Sequence, residues 1–217
     1  MSRLSRLLSA FCWSLLRLST AGGGRAIGTL SVWLAWERLT TWWWQLQPVR
    51  PDGVFRYHLR AYHGPPILLA DGTLVRPGDR LVELHFDNRR LLRLATAPDW
   101  TPFVATRLMA EDLRILDRLL AEGKLPEVVA LHGVTLFARA GRRLGFETRP
   151  LPRTPGWGLV RYFMVGLLAV YHPQGWEAAE RMRRTAWPGE LWMSRARLQA
   201  RARGPSSGPW PRPSPAE

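Results

Sequence analysis

Ten residues constrain this chain more than any others: Arg80-Leu81-Val82-Glu83-Leu84-His85-Phe86-Asp87-Asn88-Arg89. Val82, Leu84 and Phe86 alternate with Glu83, His85 and Asp87. A period of two predicts a strand whose two faces meet different environments. One face can pack on a core, while the other carries a row of titratable groups. That row admits three readings. It is a solvated outer face, on which Arg56, His58 and Arg60 of a neighbouring strand pair across at about 0.2–1 kcal/mol each. Or it lines a substrate pocket, with His85 as general base and Glu83 or Asp87 orienting it. Or it supplies two or three ligands to a metal. With no H-E-x-x-H and no histidine pair at helical spacing, no metal is assigned.

The segments around this strand are legible from their turns. Residues 54–62 alternate as well, with Phe55, Tyr57, Leu59 and Ala61 opposite Arg56, His58 and Arg60. Asp71-Gly72 between Ile67-Leu68-Leu69 and Thr73-Leu74-Val75 is a hairpin signal. Arg76-Pro77-Gly78-Asp79 then turns the chain into the central strand, so the predicted order is an antiparallel meander. A short arginine-rich connection follows Asn88. Thr101-Pro102 opens a helix with a hydroxyl cap and a first-turn proline, and Gly123 stops it.

Glu127–Leu131 reads as a buried strand, 134–144 as helix, and Gly145-Phe146-Glu147 as the entry to another strand. Residues 158–171 are apolar nearly all round but too short for the roughly 20 residues of a spanning helix. A basic helix runs to Thr185, Leu191-Trp192-Met193 reads as an edge strand, and Ser194 caps a last arginine-rich helix. The fold class predicted is α+β: one domain, an antiparallel-rich mixed sheet with helices on its faces.

Charge is concentrated at the ends. Of the net +14, residues 1–50 carry six arginines against Glu37, and 181–217 carry eight against Glu190 and Glu217. Residues 3–18 form a basic amphipathic helix, Gly22-Gly23-Gly24 a linker, and 29–47 a helix bearing Trp33, Trp36, Trp42, Trp43 and Trp44. Tryptophan settles where oil meets water, so an aromatic helix beside a basic one fits an anionic membrane surface. The tail from Gly204 is Gly, Pro and Ser with no core to join, hence disordered. The predicted division is a basic segment and linker at 1–28, the folded domain at 29–203 and the tail at 204–217. The single cysteine, Cys12, excludes an intramolecular disulfide, and its place in the basic helix argues against a cysteine nucleophile. The absence of G-x-S-x-G argues against a serine hydrolase of that class.

The chain resembles the YkoP-like family of small uncharacterised bacterial proteins over about residues 30–193. The likeness rests on Tyr62-His63-Gly64, Asp71-Gly72, Gly78-Asp79, Glu83-Leu84-His85-Phe86-Asp87-Asn88, Leu144-Gly145-Phe146 and Tyr171-His172-Pro173. Relatives of this kind appear fused to polysaccharide deacetylase domains, which implies work in the cell envelope. The deacetylase's own paired-Asp and His-rich metal motif is absent. The element order also resembles that of the GNAT-type acyltransferases. In that fold an acyl-coenzyme sits on a glycine-rich loop, where this chain has Ala97-Pro98-Asp99-Trp100-Thr101-Pro102.

The function expected is an accessory module in envelope polysaccharide or glycolipid metabolism, cytoplasmic and peripheral to the inner face of the membrane. Its expected partners are an anionic membrane surface and a polysaccharide deacetylase or other glycan enzyme. A second expectation is an acyl- or group-transferase using Glu83, His85 and Asp87. A third is a basic nucleic-acid binder, for which no recognisable module stands behind the charge. Candidate ligand-binding residues are Arg56, His58, His63, Asn88, His132 and His172, the histidines at 63, 132 and 172 being read as element ends. Cofactor and oligomeric state are not assigned.

Overall fold

A computed structural model describes residues 45–97, 101–171 and 174–203. The predicted N-terminal helices, the glycine linker, Cys12, His172 and the tail lie outside the described residues. Fourteen elements follow in order: β1 (Gln47–Pro48), β2 (Phe55–Ala61), β3 (Ile67–Leu68), β4 (Leu74–Val75), β5 (Arg80–Phe86), α1 (Asn88–Ala95), α2 (Pro102–Ala121), β6 (Ala130–Thr135), α3 (Ala138–Arg143), β7 (Glu147–Pro150), α4 (Pro155–Tyr171), α5 (Gly175–Thr185), β8 (Gly189–Ser194) and α6 (Arg195–Arg203).

Both alternating segments are strands, paired antiparallel with Phe55 opposite Phe86 and Tyr57 opposite Leu84. They belong to a six-stranded sheet of order β1-β2-β5-β6-β8-β7. Only β5 and β6 run parallel among its described strands, and α2 makes the crossover between them. The fold is thus α+β with a mixed, mostly antiparallel sheet. One face carries Tyr57, Val82, Leu84, Leu131 and Met193 against Leu113 and Leu116 of α2 and Leu198 of α6. The other carries the polar row, and at one end of it Leu81, Ala130 and Trp192 pack under Tyr62, Leu69 and Val75.

Local signals hold where the chemistry is local. Thr101 Oγ1 accepts from Val104 N at 3.2 Å, Gly123 takes φ +67° past the end of α2, and Ser194 Oγ accepts from Arg197 N at 2.9 Å. Five expectations are corrected. The helix predicted to reach residue 47 does not include Gln47–Pro48, a short edge strand paired with β2, where Pro48 is tolerated because it lies at the sheet edge. The meander is interrupted, since β3 and β4 pair only with each other and β2 pairs directly with β5. Backbone bonds from Tyr62 N to Asp79 O and from Gly78 N to Tyr62 O, both 2.8 Å, close the base of that excursion.

The connection after Asn88 is a helix, α1, capped by Asp87, whose Oδ1 accepts from Arg90 N at 2.9 Å. The strand read at 127–131 runs instead from Ala130 to Thr135, and its helix starts only at Ala138. Gly133 permits this, because a Cβ there would stand 3.3 Å from Leu84 O on β5. Finally, β8 is not an edge strand, because β7 pairs along its outer side and ends at Pro150.

Candidate functional site

The pleat and the pairing together build the polar face. Arg56 lies opposite His85, and His58 opposite Glu83, between β2 and β5. Glu83 lies beside His132 in the parallel pair, and His132 opposite Trp192 on β8. Glu190 follows two residues before Trp192 and so shares that face. The sheet therefore collects Arg60, Glu83, His85, His58, His132 and Glu190 from four adjacent strands onto one side.

Their contacts form a continuous network. Arg60 makes an ion pair with Glu83, and its Nη2 stands 3.2 Å from His132 Nδ1. A guanidinium only donates, so Nδ1 of His132 accepts, and the ring proton sits on Nε2. That Nε2–H faces Glu190 Oε1 at 3.7 Å, longer than a hydrogen bond, so the contact is electrostatic. Glu190 Oε2 meanwhile accepts from Trp192 Nε1 at 3.1 Å. The His58 and His85 rings stack with centroids 5.3 Å apart.

The row does not face open water. Side-chain exposure is 4% for His132, 18% for Glu83 and 25% for Glu190. Burial pushes the His85 imidazole down to about 4 from 6.5, against the opposing pull of Glu83, while His58, His132 and Arg60 push the same way as burial. His58 is lowered too, again chiefly by burial. The facing His132 ring, then the Trp192 N–H, hold Glu190 below the usual carboxylate range. At neutral pH the site thus presents an uncharged His85 beside the carboxylate of Glu83, a combination able to accept a proton.

This makes stability depend on pH. The unfolded chain takes up a proton at His85 before the folded one does, so stability is lost as pH falls from about 6.5 towards 4. The contribution is on the order of 3 kcal/mol at most. Thermal melts between pH 7 and 4 should show it, and His85→Gln should flatten that part of the profile. An unaltered acid slope in the variant would place the effect elsewhere.

The other sequence candidates divide. Asp87 is taken up by the fold: besides capping α1 it holds Arg56, whose Nη2 lies 2.8 Å from Asp87 Oδ2. Asn88 opens α1. His63 lies exposed in the turn after β2, and no hydrogen bond or ion pair among the described residues joins it to the row. His132 is not at an element end but in the middle of β6. Among the described residues no group of three His, Cys, Asp or Glu side chains is placed to hold a metal. Glu190 and Trp192 are members that sequence reading missed. Their signal was the alternation of Glu190, Trp192 and Ser194 with Leu191 and Met193, which the edge-strand reading hid.

Comparison with known proteins shows the family of this chain. The family model of the YkoP domain matches residues 27–202. The chain is 27% identical over 124 residues to the "Uncharacterized protein YkoP" of Bacillus subtilis (strain 168), a stretch covering 54% of this chain and 68% of that protein. No solved structure matches. The chain belongs to the YkoP-domain family.

Proposed function

We propose that this YkoP-domain protein is a membrane-surface module of cell-envelope polysaccharide or glycolipid metabolism, and that it binds its substrate on the polar face of the central sheet with His85 as proton acceptor. The observation that carries the site is the desolvation of so many titratable groups at once. Burying charge costs free energy that pairing only partly offsets, so such clusters concentrate where they are used. The setting is supported by the resemblance to relatives fused to deacetylase domains and by the net charge of +14. No described helix is long and apolar enough to cross a membrane.

The same geometry favours group transfer over a purely passive face. The ladder between β5 and β6 ends at Glu83 and His132, although β5 runs on to Phe86 and β6 to Thr135. His85 stands just past the last paired position of that seam. A parallel pair at the sheet centre, bridged by α2, supports the GNAT-like reading of the order. The N-terminus of α2 differs from a coenzyme seat: Thr101 Oγ1 already takes the Val104 N–H, and Pro102 brings no donor. The activated donor in this reading is therefore not tied to a coenzyme pyrophosphate.

A thermal-shift screen tests the site directly. Glycan fragments, phospholipid headgroups, nucleotides and acyl-coenzymes are each added to the wild-type chain, to His85→Gln and to Glu190→Gln. At least one class should raise the wild-type Tm and leave both variants unmoved. An equal shift in all three proteins would remove the ligand from this face.

A further inference from the structure

Apart from the basic chain ends, the folded domain carries a basic surface of its own. On α2, Phe103, Arg107, Arg114 and Arg118 follow at spacings of four, seven and four. At about 100° per residue these positions fall on one stripe, about 22 Å long. All four are exposed, and Phe103 at its end is 61% open, one of the few large apolar side chains so placed. The opposite side of α2 is fixed in the core through Leu113 and Leu116, so the stripe cannot turn inward.

Helix α6 packs beside α2 and extends the surface. The two helices hold seven arginines against three carboxylates, none of the latter on α6. The three acids are already engaged: Asp112 and Glu111 by Arg50, and Asp117 by Arg195. Arg107 reaches Glu111 only at 3.7 Å. Cations across the two helices feel one another, since Arg114 and Arg197 both push down the guanidinium of the half-buried Arg201, after burial itself. Like charges gathered on one exposed face point to an anionic partner.

We propose that the α2–α6 face is the surface by which this protein docks on anionic lipid headgroups, with Phe103 entering the interface at one end. The geometry favours a bilayer over a duplex. Two helices packed at 8–10 Å between axes make a face about 20 Å wide, too broad for a major groove of about 12 Å. A flat array of arginines with one exposed aromatic suits the boundary between headgroups and acyl chains. The proposal rests on the membrane-surface reading above and gives it a named surface.

Co-sedimentation of the full chain with vesicles tests it. Wild-type protein should bind phosphatidylglycerol-containing vesicles, not pure phosphatidylcholine, and should come off as salt rises. Arg114→Gln/Arg118→Gln/Arg197→Gln should lower affinity about 100-fold, at roughly fivefold per arginine, with the melting temperature unchanged. Phe103→Ser should weaken the binding that survives at high salt. If wild-type protein binds no anionic vesicle, the membrane reading and this surface fall together. If it binds and the triple variant binds equally, the surface alone is wrong. Tighter binding to duplex DNA than to vesicles, lost in the same variant, would replace the lipid with nucleic acid.

Discussion

Asp112→Ala is expected to destabilise the fold by about 2–6 kcal/mol, the cost of leaving two buried main-chain donors unsatisfied at about 1–3 kcal/mol each. Asp112 lies on α2 with no exposed surface. Its Oδ2 accepts from Val54 N at 2.7 Å and Phe55 N at 2.9 Å, and its Oδ1 from Arg50 Nε at 2.6 Å. One carboxylate therefore fixes the start of β2 to the helix that covers the core face. Removing it strands two buried main-chain donors, while Arg50 keeps its ion pair with Glu111 at 3.0 Å. Asp112→Asn keeps the shape but points an amide donor at other donors, so it should lose stability in the same direction. Gly53 belongs to the same joint, because a Cβ there would stand 2.8 Å from both carboxylate oxygens. Urea denaturation measures these changes. A midpoint within error of wild type for Asp112→Ala would show that the latch contributes nothing net.

Phe146→Ala should also cost about 3–5 kcal/mol, here by opening a cavity. The ring is 4% exposed in the main core cluster, with Leu144, Met193 and Leu198 in the same cluster. Gly145 aims it there: between α3 and β7 the backbone turns at Gly145 with φ +88°, a conformation that L side chains rarely adopt. The turn is closed by Phe146 N donating to Gly141 O at 3.0 Å. The expected signature is a lower denaturation midpoint with an unchanged slope. A full-length chain that melts at the wild-type temperature would put the ring outside the core.

These two positions differ in how visible they were beforehand. Phe146 was legible, because Leu-Gly-Phe after a basic run is a local signal for a helix handing over to a strand. Asp112 was not: within α2 it reads as one polar residue on an amphipathic helix, and its partners are Arg50, Val54 and Phe55. Nothing near it in sequence announces that its carboxylate will be buried. The candidate site divides in the same way. The alternation of Glu83 and His85 placed both on one face, and Arg56, His58 and Arg60 on the strand that pairs with it. Asp87, drawn into the same group by its spacing, is held as the cap of α1, and the helix that needs the cap was read as a connection.

What the sequence determined by itself was the period-two pattern, the turns at Asp71-Gly72 and Gly78-Asp79, the caps at Thr101 and Ser194, and the α+β class. Each depends on residues within a few positions of one another, where sterics and short hydrogen bonds dictate the outcome. Tertiary structure alone decided that β6 lies beside β5 and β8 beside β6, so that His132 and Glu190 join Glu83. It also decided that this face is largely removed from water. A pleat fixes which side chains share a side, but not which strand comes alongside or what covers them. The strand order follows from the crossover of α2, which carries β6 back beside β5, while Leu113, Leu116 and Leu198 pack the opposite, apolar face.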